Sequence, residues 1–123
     1  MLSLYRSLIE RAQDAFGDLV VDSLLVGGSR SSPNKLRLVL CDSSYLDVWL
    51  SLDGDYAFHW EHRRISGRMY RWDNAPHHPH VATFPQHLHA GDEATVLESE
   101  ISADPEVALC QVLEYIRGKV EGC

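Results

Sequence analysis

Residues 45–62 read YLDVWLSLDGDYAFHWEH, and the two alternating runs flanking Asp53-Gly54 decide the fold. Successive side chains of a strand point to opposite faces, so Leu46, Val48, Leu50 and Leu52 share one side, against Tyr45, Asp47, Trp49 and Ser51. Beyond the turn, Asp55–Arg63 reads as a partner strand with Tyr56, Phe58, Trp60 and His62 on one face. Asp-Gly between alternating runs is a strong hairpin signal, because glycine supplies the positive φ of a type I′ turn. A two-residue turn pairs Trp49 with Phe58 and Val48 with His59, whereas a five-residue loop puts Leu50 on the aromatic side. The shorter turn is favoured. It implies a sheet covered at least partly on both faces.

Working upstream, Asn34–Asp42 alternates Leu36, Leu38 and Leu40 against Lys35 and Arg37, and Ser43-Ser44 turns the chain. A further strand covers Leu19–Val26, with Gly27-Gly28 marking a bulge or turn. Residues 3–16 carry Leu4, Leu8, Ala12 and Ala15 at helical spacing, widened by Ile9 and Phe16 and ended by Gly17. Downstream, Ser66-Gly67 precedes a fifth strand, Arg68–Trp72, with Arg68, Tyr70 and Trp72 opposite Met69 and Arg71. From Asp73 to Gly91 no period survives and Pro76, Pro79 and Pro85 intervene, with Val81, Phe84 and Leu88 as anchors. A loop of that length in a compact domain is usually functional or disordered. A short strand is expected over Thr95–Ser99. Asp104-Pro105-Glu106 then gives an N-cap, a proline at N1 and an acid at the positive helix end. That helix runs to about Arg117, buries Leu109, Val112, Leu113 and Ile116, and meets a C-cap at Gly118. The expected class is α+β: one domain over residues 1–123, an antiparallel meander of five to six strands, and flanking N- and C-terminal helices packed on it. A free sheet edge offers pairing between two copies as a homodimer.

Bulk properties narrow the partners. At 123 residues and 45% hydrophobic the chain suits one core, and no run approaches the ~20 apolar residues of a membrane span. The N-terminus mixes apolar and charged residues, unlike a signal peptide, so the expected compartment is the cytoplasm. Cys41, Cys110 and Cys123 lack CxxC spacing and are read as thiols, the first two as small apolar side chains. A net charge of −7 argues against broad nucleic-acid binding. Arg63, Arg64, Arg68 and Arg71 nonetheless form a local basic strip facing only Asp73.

Five of the seven histidines, His77, His78, His80, His87 and His89, fall within this irregular stretch. Imidazole titrates near neutrality, so the group can serve as acid and base, as metal ligands or as a pH-sensitive surface. His77, His78, His87 or His89 are the residues that would hold a metal, but HExxH and CxxC spacings are missing. A metal-free site would instead take a proton from a ribose 2′-hydroxyl with one histidine and return one to the leaving oxygen with another. An arginine would then stabilise the phosphorane-like transition state. For that chemistry the catalytic candidates are His87, His89, Arg71, His77 and His78. Arg68, Tyr70, Trp72, Asp73 and Asn74 are the candidate substrate contacts, the aromatics by stacking on unpaired bases. The plainer reading has the histidines bonding to backbone, Trp49, Trp60 and Trp72 in the core, and Asp73-Asn74 forming a turn.

The run Arg71-Trp72-Asp73-Asn74-Ala75-Pro76-His77-His78, then Thr83-Phe84-Pro85, His87-Leu88-His89 and Gly91, resembles the TumE-like family of prokaryotic toxin–antitoxin toxins. The hairpin Tyr45–Trp49 through Tyr56–Trp60 is similar to the family pattern as well, so the resemblance covers most of residues 45–92. Family members often carry His-His-Lys-His where this chain has Gln86-His87-Leu88-His89, and His80 is not carried by the resemblance. The resemblance implies a small toxin neutralised by a cognate antitoxin protein. Three functions are weighed: a toxin acting on RNA by histidine and arginine acid–base chemistry, a non-catalytic interaction module using residues 71–91, and a histidine-ligated metal-dependent hydrolase.

Overall fold

The computed structural model describes every residue from Met1 to Cys123. Helix α1 (Leu2–Phe16) precedes β1 (Val20–Val26), β2 (Lys35–Leu40), β3 (Tyr45–Leu50) and β4 (Tyr56–His62). A single turn, α2 (Arg63–Ser66), leads to β5 (Arg68–Asp73), β6 (His87–Gly91), β7 (Val96–Glu98) and α3 (Pro105–Arg117). The strands form one sheet in chain order, each neighbour antiparallel, so the fold is the expected α+β meander with a helix from each end of the chain. It has 7 strands rather than five to six. The added strand is β6, inside the segment expected to be irregular. It pairs with β5 through Asp73↔His87, Trp72↔Leu88 and Arg71↔His89, which satisfies backbone groups that would otherwise leave β5 at an open edge.

The central hairpin corrects the expected register. Val48 faces Phe58, Trp49 faces Ala57 and Leu50 faces Tyr56, so the longer loop Ser51–Asp55 closes it. Ser51 sets that loop: its Oγ accepts from the backbone of Asp53 at 3.2 Å and of Asp55 at 3.1 Å, and Gly54 takes φ 89°. The consequence is a sheet with one fully apolar face. Leu36, Leu38, Leu40, Leu46, Val48, Leu50, Phe58, Trp60, Tyr70, Trp72 and Leu88 all join one core with α1 and α3. Leucine and aromatic runs on a common face bury more apolar area than two half-covered faces would. Trp49 consequently leaves the core and is 38% exposed on the opposite side.

Both helices follow their patterns with small corrections. In α1 the buried stripe is Tyr5, Leu8, Ala12 and Phe16, while Ala15 faces water. The Tyr5 hydroxyl ties α1 to the sheet, accepting from Leu50 N and donating to Asn34 O, both at 3.1 Å. In α3 the Asp104 carboxylate caps the backbone of Glu106 at 2.9 Å, with Pro105 at the first helical position. Cys41 and Cys123 form a disulfide, Cα–Cα 5.8 Å, where the sequence reading left thiols. The tail after α3 returns to the end of β2, a meeting between residues 82 apart that cysteine spacing does not encode. Cys110 stays free and packs against the core as expected. No helix is long and apolar enough to cross a membrane.

The uncovered face has its own ion pairs, and one gives a pH prediction. Hydrogen bonds from Arg63, aided by His59, hold the Glu61 carboxyl down at about 2 against burial that opposes it. A folded-state value depressed from 4.5 means stability present above the unfolded value and lost as pH falls through about 2. Urea unfolding should therefore show a steeper loss between about pH 4.5 and 2 in the wild type than in Glu61→Gln. Parallel curves for the two proteins would remove this pair from the acid response.

Candidate functional site

The sheet face away from the helices carries the site, and β5–β6 pairing assembles it. Alternation puts Arg71 and Asp73 on that face of β5, and their cross-strand partners His89 and His87 on the same face of β6. Both histidines are nearly closed to water, His87 at 1% and His89 at 4% exposed. Each ring is fixed through Nδ1: His87 to Pro85 O and His89 to Glu93 O, both at 2.9 Å. Carbonyl oxygens only accept, so each Nδ1 carries its hydrogen and each Nε2 is left as the reactive nitrogen. Those two Nε2 atoms lie 3.1 Å apart.

Asp73 completes the centre. Its Oδ1 is 3.1 Å from His87 Nε2, and its Oδ2 is 3.7 Å from His89 Nε2. Residues 74–86 fold back over β5 and β6, bringing the His78 ring to 4.7 Å from that of His87 and 5.4 Å from that of His89, centre to centre. The ligand nitrogens of His78, His87 and His89 all fall within 4.8 Å of one another. Desolvation and the two neighbouring rings hold the His78 imidazole below its ordinary value. Two bare Nε2 lone pairs 3.1 Å apart repel; a single proton between them converts the contact to an N–H···N bond and puts positive charge beside Asp73.

Arg71 is anchored within this group. Its Nε donates to Asp73 Oδ2 at 3.0 Å, and its two Nη atoms grip Glu93 at 2.9 and 2.7 Å. The fork geometry drives the Glu93 carboxyl down to about 2 and raises the guanidinium further. Arg71 thus orients Asp73, and the position a phosphate would take on its fork is held by Glu93, whose side chain is mostly exposed.

A cleft of about 410 Å³ opens beside the centre, sharing Arg71 and Asp73 with it and walled by Trp49, Tyr56, Asn74, Pro76 and His77. Burial, reinforced by the Asp73 charge, pushes the Tyr56 hydroxyl up to about 12. Asn74 braces the cleft wall, accepting from Tyr56 N at 3.0 Å and donating to Gly54 O at 3.1 Å. Trp49 is the wall residue that sequence reasoning assigned to the core. Its signal was present in the alternation itself, which grouped it with Tyr45 and Asp47 rather than with the leucines.

Of the sequence candidates, His78, His87, His89, Arg71 and Asp73 come together, and His77 and Asn74 border the cleft. Tyr70 and Trp72 do not reach it. They lie on the helix face, Tyr70 stacked on Trp60 at 5.0 Å and Trp72 edge-on to Tyr115 of α3 at 5.0 Å, so no base can stack on them from the site. Arg68 stands exposed at the start of β5, three residues before Arg71, and is not brought into the site.

No curated protein and no solved structure matches the chain. A family model described as toxin TumE matches residues 8–120, which takes in the second half of α1, all seven strands, α3 and every residue of the histidine centre. The chain belongs to the TumE toxin family.

Proposed function

We propose that this toxin acts in the cytoplasm as one half of a toxin–antitoxin pair, cleaving RNA at the histidine centre until a cognate antitoxin neutralises it. The observation that carries the reading is the pair of tautomer-fixed imidazoles, His87 and His89, held with Asp73 at the side of an open cleft. The His78 ring accepts the proton of a 2′-hydroxyl as its oxygen bonds to the adjacent phosphorus. The P–O5′ bond breaks, and the proton held between His87 and His89 passes to the departing oxygen. Asp73 balances the charge of the doubly protonated ring, and Arg71 fixes Asp73. Because the chain carries −7 overall, attraction for RNA has to be local, from stacking in the cleft.

Trp49 is the stacking surface in this reading. Base–aromatic stacking contributes ~1–3 kcal/mol per base, so Trp49→Ala should raise KM by about 5- to 150-fold for a short single-stranded RNA while kcat stays put. The assay is cleavage of an end-labelled oligoribonucleotide by the purified chain, alongside growth on expression without an antitoxin. Arrested growth with intact RNA in the cell and in the tube would overturn the proposal.

A further inference from the structure

The arrangement of nitrogen lone pairs in the histidine centre has a second use that needs no RNA. We infer that His78, His87, His89 and Asp73 form a binding site for a divalent transition-metal ion of the zinc type. Three features of the centre support this independently of any reaction.

First, the outer nitrogens are already committed. Metal-ligating histidines characteristically donate the far N–H to a carbonyl or carboxylate, which fixes the tautomer and aims the other nitrogen at the ion. His87 does this through Pro85 O and His89 through Glu93 O. Second, the spacing is that of ligands sharing one small centre. A tetrahedral ion with Zn–N bonds of ~2.0–2.1 Å sets its ligand nitrogens roughly 3.4 Å apart. The two Nε2 atoms lie at 3.1 Å, and Asp73 Oδ1 and Oδ2 lie at 3.1 and 3.7 Å from them. His78 closes the set on the third side, its ligand nitrogen within 4.8 Å of those of His87 and His89. Third, the donors are selective. Three imidazoles and one carboxylate form a borderline set that favours Zn²⁺, Co²⁺ or Ni²⁺, whereas Mg²⁺ and Ca²⁺ prefer sites built from oxygen.

A cation and the shared proton compete for the same two lone pairs. Filling the site therefore removes the proton that the acid–base reading assigns to the leaving oxygen, and cleavage should fall as the ion binds. Binding rests on the geometry alone; the inhibition rests on the proposed function as well. The two can fail separately.

The test titrates the full-length chain, stripped of metal by a chelator and dialysed, with Co²⁺ and then Zn²⁺. The expected result is one Co²⁺ per chain with the intense visible bands of tetrahedral coordination, bleached by one equivalent of Zn²⁺. His78→Ala, on the half-exposed loop, should weaken Co²⁺ binding at least tenfold with circular dichroism unchanged. His89→Gln should do the same, and His80→Ala should leave binding as it was. Absence of saturable binding at micromolar Co²⁺, or binding untouched by both His78→Ala and His89→Gln, overturns the site. With binding present, RNA cleavage that requires the ion rather than being inhibited by it retires the acid–base step and keeps the site. Metal binding without any cleavage retires the RNA reading alone.

Discussion

Trp60→Ala should lower the unfolding free energy by about 3–5 kcal/mol, the largest stability loss of any single truncation in the sheet. The side chain is 1% exposed, stacks on Tyr70 at 5.0 Å, and packs against the His62 ring at 4.8 Å. Its Nε1 also donates to Ser44 Oγ at 2.9 Å across the β3 side of the hairpin. Alanine removes the apolar area and the stack together and leaves a void that leucines on rigid strands cannot close. The comparison that makes the result diagnostic is Trp49→Ala. It is the same truncation on the other face of the neighbouring strand, where exposure limits the expected cost to under about 1 kcal/mol. Urea denaturation followed by far-UV circular dichroism measures both. Equal costs would mean that the hairpin register places both tryptophans in comparable surroundings, contrary to the pairing of Val48 with Phe58.

That register shows where sequence reasoning stops. Alternation in Lys35–Leu40, Tyr45–Leu50 and Tyr56–His62 identified each strand and its inward residues from chemistry local to the strand. The Asp104-Pro105 start of α3 was equally local, since cap and first turn lie within four residues. How two correct strands meet is a different question. Both closures of Asp53-Gly54 keep the alternation, and the choice between them depends on which face the distant helices cover. Strand β6 was hidden for a related reason: its hydrogen bonds come from β5, fourteen or more residues away in sequence, and its alternation sets imidazole against leucine. The shared face of His87 and His89 follows from their spacing, whereas the arrival of His78 beside them depends on the path of residues 74–86. Alternation did separate Tyr70 and Trp72 from Arg71. Their reading as base-stacking residues failed because the apolar face belongs to the helices, and Tyr115 of α3 takes the place of a base.

Activity should depend most steeply on His89, and His89→Ala is expected to lower RNA cleavage by about 10²–10⁴-fold, the range for loss of a positioned proton carrier. The ring meets every other part of the centre: His87 Nε2 at 3.1 Å, Asp73 at 3.7 Å, and the loop carbonyl of Glu93 at 2.9 Å. Without it His87 has no nitrogen partner with which to hold the transferable proton, and Asp73 is left to bind that proton as a plain ion pair. Because His89 is buried, the alanine variant also opens a cavity, so loss of activity there is ambiguous by itself. His89→Gln removes the ambiguity: it fills most of the volume and can still donate to the carbonyl, yet cannot carry a proton between Nε2 partners. Expression without antitoxin should permit growth for both variants, and purified His89→Gln should unfold within about 1 kcal/mol of wild type while cleaving at least 100-fold more slowly. Arg71→Lys gives the intermediate case. A lysine keeps the charge but loses the fork that holds Asp73 and Glu93 together, so it should slow cleavage less than His89→Gln while leaving KM unchanged. Full toxicity in a folded His89→Gln protein would show that the proton pathway does not run through this ring, whatever else the cleft binds.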